Sequence, residues 1–443
     1  MRRSILLALF ILLHLVPLAR AQKDVDLSQS QMPSVVTVPV EAQPSDHFSV
    51  DAATEAYLAQ IPASARSRSD AYFEGGYWLG LWDFLMALVI YWALLRFGWS
   101  VKMRDFAKRI TRIAFFQSMI YWVQFLVLTA ILGAPLAIYE GYFREHKYGL
   151  ANQTFGPWLG DQLKDLAVNM IMGAFLIAVL FAIVRKLQRT WHIWGAIVTI
   201  AFFVFGIMIA PVFIFPLFNT YTRLNDPKIT APILSMARAN GISAHDVYQV
   251  DASKQSKRMS ANVSGFGRTM RITLNDNLLH RGSPDEIQAV MGHEMGHYVL
   301  NHIPKDILFF SVVIVIFFAI LRWGLGWALA RYGAGWGISE IGDPAVLPLA
   351  LLIVTAFFFV LTPILNTHIR TTEHEADMFG INGSRQPDGM AQAAIHLGEY
   401  RKMSPGPAEE WIFYDHPSGR RRIHDAMQWK AENLQLFPSQ PVH

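Results

Sequence analysis

Long apolar blocks separated by polar stretches dominate the pattern of this chain. Each of the six longest blocks has roughly the 20 residues that a helix needs to cross a bilayer. They cover residues 78–97, 113–139, 166–184, 191–218, 307–330 and 346–366. One buried core helix of this length is common in a soluble protein, but six in one chain are not. The pattern therefore predicts a mostly α, multi-span helical integral membrane protein.

The N-terminal part of the chain has a different pattern. A shorter apolar run, residues 5–18, follows a basic start and ends near Ala19-Arg20-Ala21. This arrangement is typical of a secretory signal peptide, so residues 1–21 are predicted to be one, with an uncleaved N-terminal anchor as the alternative. Residues 22–77 are rich in Gln, Ser and Pro and predict an exported, loosely ordered segment with one short helix over 52–60.

Two polar blocks are long enough to fold outside the membrane. Residues 219–306 follow the four spans of 78–218, and residues 367–443 follow the two spans of 307–366. We expect them to form the first and second parts of one domain, because the candidate chemistry described below is divided between them.

The first polar block contains a small β element and one strongly marked helix start. Strand-like runs occur at 247–250 and 270–274. Ser283-Pro284, followed at once by two acidic residues, has the N-cap serine, the first-turn proline and the acidic first turn that begin helices.

The candidate chemistry lies on that helix, as His293-Glu294-Met295-Gly296-His297. Residues four apart share one face of a helix, so both imidazoles can bind one metal ion, and Glu294 beside them can accept a proton from metal-bound water. Zinc is the metal expected for two imidazoles and a carboxylate. The chain has no cysteine, which excludes cysteine-ligated zinc sites, disulfide scaffolds and cysteine nucleophiles.

A third ligand must come from elsewhere, because Ile303 occupies the position at which an extended H-E-x-x-H motif would hold its third histidine. Glu373 and Asp377 lie four apart, just after the last span. Glu373 can complete a site for one Zn²⁺ per chain, while Asp377 supports a ligating histidine. His302 is predicted to be a supporting or helix-end group, since a fourth protein ligand would close the open position that catalysis needs.

Several separated motifs resemble the M48 metallopeptidases, and among them the CaaX prenyl protease branch of membrane zinc endopeptidases. The motifs lie at 145–154, 216–219, 293–297, 373–377 and 415–422. The resemblance implies a gluzincin-like zinc metallopeptidase domain in which Glu373 is the third ligand and Asp377 its supporting aspartate. It also implies that His416 stabilises the oxyanion or binds substrate backbone, and that Arg422 braces the site.

The resemblance is incomplete in two places. The family's substrate-binding N-A-Y element aligns with Ser260-Ala261-Asn262, where only the alanine is retained. We still expect an extended substrate to lie along this edge by strand addition, near Ser260 and Asn262. Members of the branch have a seventh span at the N-terminus, where this chain has its signal-like segment.

The distribution of Lys and Arg along the chain predicts on which side of the membrane the two polar blocks lie. Lys and Arg concentrate in the loops after the first and third spans, which the positive-inside rule assigns to the cytoplasm. Both polar blocks then lie on the outer face, the periplasmic face of a bacterial inner membrane. The net charge of +4 is explained by basic loops beside a lipid bilayer, so no nucleic-acid partner is expected.

The sequence therefore predicts a membrane-embedded zinc endopeptidase that acts on peptide or protein substrates. Two substrate classes stay open, namely CaaX-type processing and quality control of membrane or exported proteins. The alternative is a non-enzymatic zinc-binding transporter or carrier, with Gly206, Pro211 and Pro216 breaking a span that lines its pathway. Asp83 and Arg322 lie within apolar blocks and receive no role.

Overall fold

A computed structural model describes residues 31–265 and 270–437. The predicted signal peptide or anchor, residues 1–21, lies outside the described residues. The helices are α1 (Val50–Ala59), α2 (Ala63–Arg96), α3 (Trp99–Ile110), α4 (Ala114–Ile138), α5 (Phe155–Lys186), α6 (Trp191–Ile209), α7 (Pro227–Ala239), α8 (Asp276–Arg281), α9 (Pro284–Val299), α10 (His302–Trp336), α11 (Leu347–Ser384), α12 (Pro387–Leu397), α13 (Pro407–Phe413) and α14 (Gly419–Glu432). The strands are β1 (Tyr221–Arg223), β2 (Val247–Val250), β3 (Ala261–Ser264) and β4 (Arg271–Asn275).

The six predicted spans correspond to α2, α4, α5, α6, α10 and α11, which are long and apolar enough to cross a membrane. Large apolar side chains cover their outer surfaces, where Ile171, Trp323 and Val360 are each more than 70% exposed. Such exposure is unfavourable in water but suits contact with lipid. The multi-span helical architecture is therefore confirmed.

Residues 31–61 form a strap that packs on the part of the chain after the last span. Tyr57 and Leu58 are buried in one apolar cluster with Ile395 and Met427. The buried Lys430 also donates to the carbonyl of Ala42 at 2.6 Å. The predicted short helix is present as α1, but the prediction of a loosely ordered segment is wrong for residues 31–77. Their polar composition conceals a few apolar side chains that α12 and α14 bury.

Helix α2 begins fifteen residues before the predicted start of the first span. Its first turns leave the apolar block and contact polar groups of other elements. Tyr72 donates to Glu145 at 2.5 Å, and Tyr77 donates to Glu409 at 2.8 Å. These hydrogen bonds extend the helix beyond the segment that hydrophobicity alone marks as membrane-spanning.

The β element is a four-stranded sheet of order β1-β2-β4-β3. Strands β2 and β4 are parallel, and the two outer pairs are antiparallel. Both predicted strands are present, with β4 starting one residue later than expected. Ile272 and Leu274 of β4 pack with Met291 and Met295 of α9 in one core, which fixes the sheet against the H-E-x-x-H helix. Strand β3 lies at the edge of the sheet.

Two glycines let α9 and α11 touch backbone to backbone. A Cβ atom on Gly380 would lie 2.5 Å from the backbone nitrogen of His293, and one on Gly292 would lie 2.7 Å from the carbonyl oxygen of Gly380. Any larger side chain at either position would force the helices apart. This approach brings the second polar block against the H-E-x-x-H helix.

The basic loops lie together at the opposite end of the spans. Arg104, in α3, pairs with Asp343 at 2.5 Å, and Arg185, at the end of α5, donates to the carbonyl of Gly342 at 3.0 Å. Both partners belong to the connection between α10 and α11. Since α10 begins beside the H-E-x-x-H helix and ends at this connection, the two polar ends of the molecule are separated by the length of a span.

Candidate metal centre and catalytic cavity

Helix α9 holds the two candidate imidazole ligands on one face. Its start is fixed as predicted, because Ser283 Oγ accepts a hydrogen bond from the backbone nitrogen of Glu286 and Pro284 follows in the first turn. One helical turn then separates His293 from His297. Their Nε2 atoms lie 3.1 Å apart.

Glu373 of α11 faces these two imidazoles. Its carboxylate oxygens lie 3.4 Å from His293 Nε2 and 3.5 Å from His297 Nε2. Ligand atoms bound tetrahedrally to zinc at ~2.0–2.1 Å lie about 3.3 Å from one another. The three side chains therefore fit a zinc ion, and they form the candidate metal site among the described residues.

The hydrogen bonds around His293 and His297 leave the Nε2 lone pairs for a metal. Asp377 accepts from Nδ1 of His293 at 2.8 Å. On the other side, His302 donates through Nε2 to Glu375 at 3.1 Å, so that its Nδ1 can accept from Nδ1 of His297 at 2.9 Å. Protons on both Nδ1 atoms fix the tautomer that metal binding requires.

Arg422 of α14 joins the two carboxylates of α11. It donates to Glu373 at 3.2 Å, and its Nε lies 3.0 Å from Asp377 Oδ2 in an ionic contact without hydrogen-bond alignment. Both Arg422 and Asp377 are buried. A buried pair of this kind is costly to break, because each charge then remains without its partner.

Burial and nearby charges shift the pKa values of two side chains of α9, Glu294 and His293. Burial raises the pKa of Glu294 to about 7, although the adjacent charge on His293 opposes this rise. A carboxylate in that range can accept and release protons near neutral pH. Burial disfavours charge on His293, but the hydrogen bonds to Asp377 and Glu373 outweigh it and raise its pKa to about 10. Asp377 and Glu373 thus favour a positive charge at the His293 imidazole.

A cavity of about 320 Å³ opens onto this cluster. Its lining brings together Glu294, Glu373, His416 and Ser260. His416 Nε2 lies 3.2 Å from Glu373, while its Nδ1 contacts Asp415 at 2.8 Å.

Most of the predicted site residues meet in this one place. Asn262 does not line the cavity, whereas the preceding Ser260 and Ala261 do. Sequence reasoning missed Glu375, whose contact with His302 depends on the docking of α11 against α9. It also missed Arg401, a cavity residue that belongs to no motif.

Comparison with known proteins identifies the family. Residues 223–430 match the family model described as peptidase family M48, and residues 50–220 match the model described as CAAX prenyl protease N-terminal, five membrane helices. The chain belongs to peptidase family M48. As M48 peptidases are zinc enzymes, this chain is a membrane-embedded zinc metalloendopeptidase, and the transporter alternative is not supported.

Individual relatives match most of the length of this chain. The uncharacterized metalloprotease YhfN of Bacillus subtilis is 27% identical over 346 residues, covering 78% of this chain and 80% of the relative. CAAX prenyl protease 1 of Saccharomyces cerevisiae is 26% identical over 313 residues, covering 67% and 69%. The crystal structure of S. mikatae Ste24p matches with a TM-score of 0.71 at 22% identity, over 91% of this chain and 92% of that chain, and so has the same fold.

Proposed function

We propose that His293, His297 and Glu373 hold one catalytic zinc ion, and that Glu294 and His416 act on the peptide bond beside it. The observation that carries this assignment is the arrangement of the three ligand groups at mutual distances of 3.1–3.5 Å. Two of them, His293 and Glu373, line a cavity together with Glu294 and His416. Because His293 and Glu373 line the cavity, a substrate carbonyl and a water molecule placed in it would lie beside the metal site.

Each protein group then has a defined task. A zinc ion at this position supplies a Lewis acid that polarises the scissile carbonyl and makes water more acidic. Glu294 accepts the proton of the attacking water and passes it to the leaving amine. His416, oriented by Asp415, donates through Nε2 to the oxyanion, and such donors typically contribute about 10²–10³ in rate. Asp377 and Arg422 keep His293 and Glu373 in place.

The substrate backbone has a docking edge next to these groups. Among the described residues, β3 pairs with β4 on one side and has no strand on the other. Ser260 and Ala261, at the start of β3, line the cavity. An extended peptide added to this edge would present its scissile bond to Glu294, with main-chain hydrogen bonds giving affinity.

We further propose that the peptidase part lies on the periplasmic face of a bacterial inner membrane. The clustering of the basic loops beside Gly342 and Asp343, a span length away from the metal site, supports this orientation. Substrates are then membrane-bound or exported polypeptides. The relatives named CAAX prenyl protease 1 support CaaX-type processing as the second possibility.

The direct test of the catalytic assignment is Glu294→Gln in the full-length membrane protein. The variant should keep one zinc ion per chain and lose peptide cleavage by about 10²–10⁴-fold, because the amide cannot accept a proton. Asp285→Asn, an exposed change in the same helix, is the matched control and should retain activity. Normal turnover by Glu294→Gln would overturn the assignment. Polypeptides trapped on this variant and identified by mass spectrometry would define the substrates.

A further inference from the structure

The catalytic cavity contains a positive charge that the proposed mechanism does not use. Arg401, just after α12, lines the cavity together with Arg258 and Arg422. Among the described residues, no carboxylate oxygen lies within 4 Å of the Arg401 guanidinium, and the guanidinium nitrogens form no hydrogen bond. Asp415 and Glu373 lie farther away and act on it only through their charge.

The other two arginines of the cavity are compensated. Arg422 contacts Glu373 and Asp377, as described above. Arg258 pairs with Glu145 at 2.9 Å and donates to the hydroxyl of Tyr72 at 2.8 Å. The cavity lining thus has one guanidinium that forms no direct ion pair among the described residues.

The aromatic ring of Tyr400 lies near this guanidinium. The Arg258 and Arg401 guanidinium carbons lie 5.4 and 5.9 Å from the centre of its ring. Burial and the nearby charge of Arg422 lower the pKa of Arg401, yet a guanidinium remains protonated in proteins. A partly buried cation of this kind is held at a cost, which an anionic ligand in the cavity would offset.

We propose that Arg401 is the centre of an anion subsite that binds a carboxylate of the peptide substrate. The inference rests on the proposed function, because the cavity is taken to be where the peptide lies. A carboxylate is the anion that an unmodified peptide carries, and a guanidinium binds it in a two-pronged geometry. The carboxylate can be the substrate's C-terminus or an Asp or Glu side chain near the scissile bond. The subsite selects peptides whose carboxylate lies within reach of Arg401.

The test measures binding separately from cleavage. The full-length protein with Glu294→Gln, loaded with zinc, is titrated with four fluorescent peptides of one sequence, which differ only in carboxylates. One has a free C-terminus, the second has a C-terminal amide, and the other two are amides with Glu or with Gln near the scissile bond. The parent sequence is a peptide of a tryptic proteome digest that the zinc-loaded Glu294→Gln protein retains.

We expect the peptides that carry the recognised carboxylate to bind about tenfold to hundredfold more tightly, which is the gain in affinity that hydrogen bonds to charged groups typically give. Adding Arg401→Gln should remove most of this preference, and Arg401→Lys should keep part of it. Arg238→Gln, an exposed arginine of α7, is the control and should keep the full preference. The pair of peptides that shows the difference in affinity tells whether Arg401 binds the C-terminal carboxylate or the Glu side chain.

Equal affinity for all four peptides, or an equal loss on all four with Arg401→Gln, would contradict the subsite. Zinc content and the melting temperature of each variant are measured alongside, so that a misfolded variant is recognised, and Arg401→Lys then decides. The cleavage test of Glu294 fails or succeeds independently, because this measurement uses no turnover.

Discussion

Each imidazole of the metal site is oriented by a hydrogen bond from its Nδ1 atom. His293 donates to a buried carboxylate, Asp377, whereas His297 donates to another histidine, His302. Glu375 in turn accepts from His302. The two imidazoles thus have partners of different kinds, a carboxylate and a second histidine. The second chain of contacts extends from α9 through the start of α10 to α11.

We predict that His302→Ala weakens zinc binding without removing a ligand. His302 is 1% exposed, and its loss would free the His297 ring to rotate or change tautomer. Groups in this position typically contribute about 10–100-fold in metal affinity. Competition with a chelator measures the effect. His280→Ala, an exposed histidine of α8, is the control. Identical zinc affinities in both variants would show that His297 needs no support.

The metal ligands were accessible to sequence reasoning, but their supports were only partly so. Spacing within one helix predicts that His293 and His297 share a face, and the spacing of Glu373 and Asp377 does the same for α11. The link from His302 to Glu375 joins residues 73 positions apart, and no local periodicity reports such a contact. The unpaired state of Arg401 likewise depends on which charges the fold brings near it.

At the scale of elements, the site depends on how closely α9 and α11 pack. Glu373 and Asp377 of α11 reach the imidazoles because Gly292 and Gly380 let the two backbones meet. A helix pair at ordinary separation, about 8–10 Å between axes, is held apart by its side chains. Here the absence of side chains at the crossing point brings Glu373 and Asp377 within reach of His293.

Gly380→Ala should therefore damage the metal site. Its added methyl group would meet backbone atoms of His293 at 2.5 and 2.8 Å, which cannot move without moving a ligand. We expect a loss of about 1–3 kcal/mol in stability and a clear loss of zinc affinity. Thermal unfolding and zinc titration measure both.

Gly383→Ala is the matched control, because it changes the same helix one turn later. The nearest atom to its added methyl group is 3.9 Å away. Alanine is a better helix former than glycine, so this variant should bind zinc normally and gain up to about 1 kcal/mol. If both alanine variants behave alike, close packing of the helices is not what positions the ligands.

The strap of residues 31–61 shows where composition misleads. Its glutamines, serines and prolines predict weak order, and averaging over the segment hides its few apolar side chains. Those side chains are buried because α12 and α14 present a complementary surface, and Gln392 donates to the carbonyl of Val36 at 2.7 Å. The long apolar blocks, by contrast, predict the membrane spans directly from the sequence. A helix in contact with lipid must be long and apolar, and this requirement does not depend on which other helices it packs against.

At the scale of the whole molecule, the membrane lies between the basic loops and the metal site. The peptidase part is assembled from two polar blocks, and α10 and α11 connect them through the bilayer and back. This connection ties the metal site to the membrane surface. Polypeptides close to that surface are therefore the substrates it can reach most easily.

The absence of cysteine permits a direct test of orientation. We predict that Arg238→Cys, on the peptidase part, reacts with a membrane-impermeant thiol reagent added from the periplasmic side. Glu340→Cys, in the connection between α10 and α11, should react only after the inner membrane is opened. Both positions are exposed. The reverse labelling pattern would place the active site in the cytoplasm.

The most direct measurement of the central claim is zinc-dependent recovery of peptide cleavage. Chelator-treated full-length protein is titrated with zinc while bound metal and activity are followed together. The account predicts that cleavage rises in proportion to zinc up to one ion per chain, and that His297→Ala prevents the recovery. Full cleavage by zinc-free protein, or undiminished recovery in His297→Ala, would contradict the assignment of His293, His297 and Glu373 as the catalytic metal site.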